Sequence, residues 1–249
     1  MEIFTKFIAF FLIYSLYGWT LESIYKTAFE KKFVNSGFLY GPFCPIYGVG
    51  AIIMCLILNG YKDNIFHVFI IGIVVLSVWE YIVGYILEKI FKTKYWDYSE
   101  KKFNINGRIC LLNSMFWGIL GVIFIYIVHP FISELVEKMP LKILYPVTYI
   151  LIIYMLIDAI ISIINLNSIS KQIDKIKEIS ENIKLKLSEI KKKANTPITI
   201  EGIELVIEDL KKQEENLREK LIKQTSNLKK RFPTMKSEKI SEFLNHRKR

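Results

Sequence analysis

The chain has 249 residues, 52% of them hydrophobic and 23% charged, with a net charge of +10. Residues 1–167 hold 13 Lys+Arg and 11 Asp+Glu, while residues 168–249 hold 21 and 13, so an oily part of net +2 precedes a basic part of net +8. This division excludes an ordinary soluble enzyme, a disulfide-stapled secreted domain and a disordered chain; it predicts an all-α polytopic membrane protein with a polar tail.

Five apolar runs meet or approach the length of about 20 residues that a membrane-crossing helix needs. The first covers 5–25. Its leading residues carry one Lys and one Glu, and no A-x-A site follows, so it reads as a retained helix and not a signal peptide. The second, 43–59, is the shortest. Pro45, Gly48 and Gly50 at its start suit a broken or re-entrant entry, which is tolerated at membrane depth only inside protein or beside a polar cavity. The third, fourth and fifth cover 65–90, 109–128 and 143–165.

Lysine and arginine bias sets the expected orientation. Lys26, Lys31 and Lys32 lie between the first two runs, and Lys89, Lys92, Lys94, Lys101, Lys102 and Arg108 between the third and fourth. The other loops are poor in cations, and the tail is the most basic segment. With five spans, these loops and the tail share one side. The expectation is a multi-pass plasma-membrane protein with its N-terminus outside and its C-terminus in the cytoplasm.

In the tail (168–249), Ile169, Ile173, Ile176, Ile183, Leu187 and Ile190 follow a 4-3 spacing. Asn195-Thr196-Pro197 interrupts, and Ile203, Ile207, Leu210, Leu217, Leu221 and Leu228 form a second seam. Two apolar seams of similar length predict an antiparallel helical hairpin, a coiled coil closed within the chain; self-association or another protein are the other partners a seam can find. The runs Lys191-Lys192-Lys193, Lys229-Lys230-Arg231 and Arg247-Lys248-Arg249 lack the aromatic interleaving of a nucleic-acid module and suit the surface of anionic lipid.

Ionisable groups inside apolar runs are costly and face protein or water-filled space. Glu22 stands late in the first run, Glu80 after Trp79 in the third, and Asp158 in the last third of the fifth. Two loops are equally unusual. Asn35-Ser36-Gly37-Phe38-Leu39-Tyr40-Gly41-Pro42-Phe43-Cys44-Pro45 reads as a rigid, shaped loop. Trp96-Asp97-Tyr98-Ser99 with Phe103-Asn104-Ile105-Asn106-Gly107-Arg108 sets aromatic rings at the headgroup level. Helical rise brings Glu22, Glu80, Asp97, Asn104 and Arg108 to similar depth, so one cytoplasm-facing polar recess is expected. It would bind a polar or cationic group or pass protons; alternatively, Arg108 neutralises Glu22 or Glu80 and locks the bundle. Asp158, beside Ser162, reads as an interhelix polar contact. His67 and His129 are expected at the outer side without ligand partners, and Gly118 and Gly121 as points of close helix packing.

Cys44, Cys55 and Cys110 form no metal spacing and read as small core residues. No phosphate-binding loop, H-E-x-x-H, G-x-S-x-G or dinucleotide fingerprint occurs. The chain therefore is not expected to hydrolyse ATP itself, to bind a metal or cofactor, or to bind nucleic acid.

Gly18-Trp19 with Glu22, then Asn35, Gly37-Phe38-Leu39-Tyr40-Gly41-Pro42 and Pro45-Ile46-Tyr47-Gly48, then Trp96-Asp97-Tyr98-Ser99, Phe103-Asn104 and Gly107-Arg108, together resemble the bacterial ABC-transporter permease family of the CmpB type. The resemblance covers roughly residues 5–135. It implies a permease-like membrane component; the binding or proton-handling candidates are Trp19, Glu22, Asn35, Glu80, Trp96, Asp97, Asn104 and Arg108. It also implies a separate ATPase subunit and, because five spans fall short of the usual permease half, a homo-oligomer. One departure is Ser36, where the resemblance leads one to expect Arg. Two other readings remain beside transport: a membrane enzyme acting on a lipid headgroup or polyprenyl carrier, and a scaffold or sensor working through the tail.

Overall fold

The computed structural model describes residues 1–192, 197–232, 235–237 and 240. The chain is nearly all helix: α1 (Glu2–Glu30), α2 (Pro45–Leu58), α3 (Ile65–Phe91), α4 (Leu111–Ile123), α5 (His129–Lys138), α6 (Leu141–Lys192) and α7 (Pro197–Arg231). The described strands, β1 (Asn104–Ile105) and β2 (Ile109–Cys110), make a two-residue antiparallel pair with Asn104 opposite Cys110. A π turn, Phe124–Val128, joins α4 to α5, so Leu111–Lys138 is one long rod.

Among the described residues, four helical segments are long and apolar enough to cross a membrane: Glu2–Glu30, Ile65–Phe91, Leu111–Lys138 and Leu141–Ser188. The apolar helix Pro45–Tyr61 is shorter. Its regular part, α2, has 14 residues and so rises about 21 Å, less than the roughly 30 Å of hydrocarbon in a bilayer. In α6, Ile150, Ile153, Ile157, Ile160 and Ile164 are all 53% exposed or more and repeat at 3-4 spacing. An apolar stripe of that kind is a surface that lipid or another protein covers.

The chain divides into two compact units. The first is Met1–Ile163 with Arg231–Lys236; the second is Ile164–Lys230 with Ser237–Arg249. The helix α6 contributes to both and continues unbroken through residue 167.

In the first unit, Tyr14, Met54, Leu58, Val68, Leu76, Phe124, Ile125 and Val136 belong to one apolar core. Small residues allow its helices to approach. A methyl group on Gly18 would strike the Tyr47 ring, and one on Gly48 would strike Ser15 and Phe11, which seats α1 against α2. Gly72 faces Gly118 and Gly121 where α3 crosses α4, and a methyl on Gly118 would come within 2.7–2.9 Å of Ile73 and Phe69. Ser77 donates to Ser114 Oγ at 2.7 Å across the same crossing. The sequence-based reading of Gly118 and Gly121 as packing glycines agrees with this contact.

The helix that carries the fourth apolar run continues past 128 to Lys138, because the π turn absorbs a residue without stopping it. His129 is therefore half-buried within the helical rod. The Tyr14 hydroxyl lies 2.7 Å and Cys55 Sγ 3.4 Å from His129 Nδ1, hydrogen-bond contacts that its place in the sequence did not indicate.

In the second unit, Ile169, Ile173, Ile176 and Leu221 form one buried cluster with Leu217, Ile222 and Leu228 against it; Ile179, Ile183 and Ile207 form another with Leu210 and Leu217. The seam departs from the expected positions at Leu187, which is 42% exposed, while Ile179 is buried. A straight helix of about 3.6 residues per turn drifts relative to a seven-residue repeat, so the buried stripe moves off Leu187. Asn195-Thr196, the side chains of Ile190 and Ile203, and Arg247-Lys248-Arg249 lie outside the described residues.

Candidate functional site

The polar groups of the first unit gather at the end where α1 finishes, α2 begins, α3 finishes and α4 begins. Both α1 and α3 stop by the same device: Lys31 and Lys92 take left-handed conformations, with φ of 52° and 51°, directly after the last helical residue. The chain then enters the two shaped loops.

The first loop is clasped from three directions. Trp19 on α1 donates its indole N–H to Asn35 Oδ1 at 2.6 Å, and Asn35 Nδ2 donates to the Tyr40 carbonyl at 2.5 Å. Ser23 Oγ accepts the Ser36 amide at 3.2 Å. From α6, the Asp158 carboxylate accepts the amides of Tyr40 at 3.0 Å and Gly41 at 2.7 Å. Gly41 must be glycine-sized here, since a methyl would lie 2.5 Å from the Tyr154 hydroxyl. Ser162 is a weaker partner of Asp158 at 3.4 Å. The main work of Asp158 is therefore to hold the loop backbone. A lone acid in an apolar run signalled some such role, but nothing in its spacing indicated a partner 118 positions away.

The second loop is organised internally. Asp97 Oδ1 accepts the Ser99 amide at 3.1 Å and the Ser99 hydroxyl at 2.5 Å. Asn104 donates to the Ser99 and Lys101 carbonyls and accepts from the Gly107 amide at 3.1 Å. Gly107, at φ 69°, turns the chain between β1 and β2. Trp96 donates to the Arg108 carbonyl at 2.9 Å. Asp97, Asn104 and Trp96 thus shape the loop.

The expected ionic partners fall out differently. Arg108 grips Glu88 Oε2 with two nitrogens, at 3.0 and 2.7 Å, and lies 5.2 and 5.3 Å from the Tyr81 and Tyr85 ring centres. Glu22 pairs with Lys26 at 2.6 Å. Arg108 therefore neutralises neither Glu22 nor Glu80. Glu80 is 5% exposed and bonded to neutral groups: it accepts from the Trp117 indole at 2.9 Å and the Tyr98 hydroxyl at 3.2 Å. Among the described residues it has no cationic partner. Tyr47, wedged against Gly18, lies within electrostatic reach of both Glu22 and Glu80. Arg108 and Glu88 border a crevice with Gly84, Lys94, Tyr95 and Trp96.

One contributor escaped the sequence reading. The segment Arg231–Lys236 belongs to the first unit and spans both loops. Arg231 donates to the carbonyls of Gly37, at 2.6 Å, and Leu39, and its guanidinium lies 5.3 Å from the Tyr40 ring centre. Lys26 donates to the Arg231 carbonyl at 2.7 Å. Phe232 packs on Tyr95 with ring centres 4.9 Å apart. Lys236 exchanges both backbone bonds with Lys94 at 2.9 Å, and its ammonium meets Asp97 at 2.5 Å. Burial lowers the pKa of Arg231, and the nearby Asp158 carboxylate opposes that effect. Burial tends to raise the pKa of Asp97, but its bonds to Lys236 and Ser99 prevail and hold it below the ordinary value. A run such as Lys229-Lys230-Arg231 resembles any solvated helix end, so sequence offered no sign that its last member folds back.

A family model described as "Putative ABC-transporter type IV" matches residues 9–163. Comparisons with curated proteins and with solved structures find no match.

Proposed function

The chain belongs to the ABC-transporter type IV family, and from that membership we propose that it is a permease-like membrane component that works with a separate ATPase subunit. In this reading α2 completes five passes, the N-terminus lies outside, both shaped loops face the cytoplasm, and the clusters of α6 and α7 form an antiparallel coiled coil. Two copies would make up a full permease. The polar groups Glu22, Tyr47 and Glu80 receive a polar or cationic solute.

The observation that carries this reading is Glu80: a carboxyl group 5% exposed, in an apolar helix, whose bonded partners are an indole, a phenol and the Asn113 side chain, all neutral. A purely structural acid in such a place is ordinarily matched by a cation. Neutral donors hold this carboxyl group in a fixed direction. The lipid-headgroup enzyme reading is less well supported, because Arg108, its phosphate-binding group, is engaged by Glu88 through two nitrogens.

The test is flux. Protein reconstituted with a candidate ATPase should move at least one class of polar or cationic solute in an ATP-dependent way, and Glu80→Gln should abolish that movement while the melting temperature stays near that of the parent. Absence of flux for every solute class from a folded preparation overturns the proposal.

A further inference from the structure

The first loop holds one guanidinium group, that of Arg231. Two backbone carbonyls, of Gly37 and Leu39, converge on one terminal nitrogen of Arg231. The Tyr40 ring lies over the cation at 5.3 Å, in the range where an aromatic face attracts it. Asp158 supplies negative charge behind the loop while fixing the amides of Tyr40 and Gly41. Gly37, at φ 86°, adopts a conformation that turns its backbone as few other residues would. Carbonyls, an aromatic face and a nearby carboxylate are the groups that recognise a planar, delocalised cation with several donors, as opposed to a compact ammonium.

Arg231 fills this cradle incompletely. Its Nε is buried and finds no acceptor among the described residues. The Ser36 hydroxyl, within the same loop, and the Tyr95 hydroxyl, on a ring 6.0 Å from that of Phe38, are likewise buried without partners. Each unmet group carries a desolvation cost, so the resident side chain is a replaceable occupant. The cradle also lies inside the matched region, residues 9–163, while Arg231 lies outside it. We propose that the cradle of Gly37, Leu39, Tyr40 and Asp158 is a binding site for an external guanidinium cation, with Arg231 as a tethered competitor. The inference stands on this geometry and does not require transport.

The probe is ethylguanidinium, with ethylammonium as the control of equal charge, titrated calorimetrically into the full-length protein in detergent. A tethered competitor acts at an effective concentration of about millimolar, so Arg231→Ala should bind ethylguanidinium at least about tenfold more tightly than the parent. Ethylammonium should bind to neither. Adding Tyr40→Leu to Arg231→Ala should weaken binding about fivefold, the loss expected for one aromatic face. A synthetic peptide of residues 225–237 that competes with ethylguanidinium in Arg231→Ala would identify a protein arginine as a fitting source; competition by small guanidinium compounds alone would identify a free solute. Equal binding by parent and variant, equal binding of both cations, or no binding by a folded variant each overturns the proposal. Should Arg231→Ala not fold, hydrogen exchange at the Lys94 and Lys236 amides of the parent serves instead. Ethylguanidinium should accelerate it and ethylammonium should not; no acceleration overturns the proposal.

Discussion

Asp158 shows how one side chain ties a membrane helix to a loop. Its two oxygens meet two consecutive amides, of Tyr40 and Gly41, so its negative charge is used on backbone donors. Asp158→Asn keeps the shape but loses the charge and one acceptor. A loss of about 1–3 kcal/mol is expected, read as a lower melting temperature and faster hydrogen exchange at Tyr40 and Gly41. The pair of Asp97 and Lys236 gives a pH prediction. Asp97 has a pKa lowered from 3.8, so its contribution is complete above that value and is lost as pH falls through the lower folded value. Lys236 has a pKa raised from 10.5, so its contribution is complete below that value and is lost as pH rises through the higher folded one. The Lys94 and Lys236 amides should therefore be best protected between roughly pH 5 and 9 after correction for intrinsic exchange rates. Asp97→Asn should remove the acidic limb of that profile; an unchanged limb would assign it to another group.

At the scale of elements, glycines decide where helices meet. Gly18→Val would drive a branched side chain into the Tyr47 ring and separate α1 from α2. Overpacking of this kind costs about 1–3 kcal/mol, and a thermal melt in detergent should register it, whereas Gly60→Ala, with open space around it, should leave the melt unchanged. Helices of this kind were legible in the sequence because apolar length and composition define them locally: Glu80, Glu22 and Asp158 stood out for the same reason. What was not legible depended on long-range pairing. Arg108 has several acids within a helical length of its loop, and only packing selects Glu88 over Glu22 and Glu80. The π turn at Phe124–Val128 lacks a sequence mark, since a run of Phe, Ile, Tyr and Val fits either helix type, so the fourth rod was read as ending ten residues early. The return of Arg231 to Gly37 crosses 194 positions and leaves no periodic trace.

For the molecule as a whole, the tail has two separable parts. One is the paired apolar clusters of α6 and α7; the other is the Arg231–Lys236 segment, which belongs to the membrane-helix unit. Deleting 168–249 removes both, so that truncation alone would not identify which matters. Combining Arg231→Ala with Lys236→Ala removes only the side-chain grips of the strap on Gly37, Leu39 and Asp97. If the helical pair is accessory, flux in proteoliposomes should change equally in the truncated and doubly substituted proteins; a further loss on truncation would assign work to the helices. The central claim concerns Glu80, which is enclosed in this conformation and must meet water in another if it handles solute. The most direct measurement places Glu80→Cys in a background with Cys44, Cys55 and Cys110 replaced by alanine, and follows its labelling by a membrane-impermeant thiosulfonate in inside-out vesicles. The account predicts slow but complete labelling from the cytoplasmic face that is absent in right-side-out vesicles and changes in rate when the ATPase partner turns over. Labelling only after detergent has dissolved the membrane would contradict it.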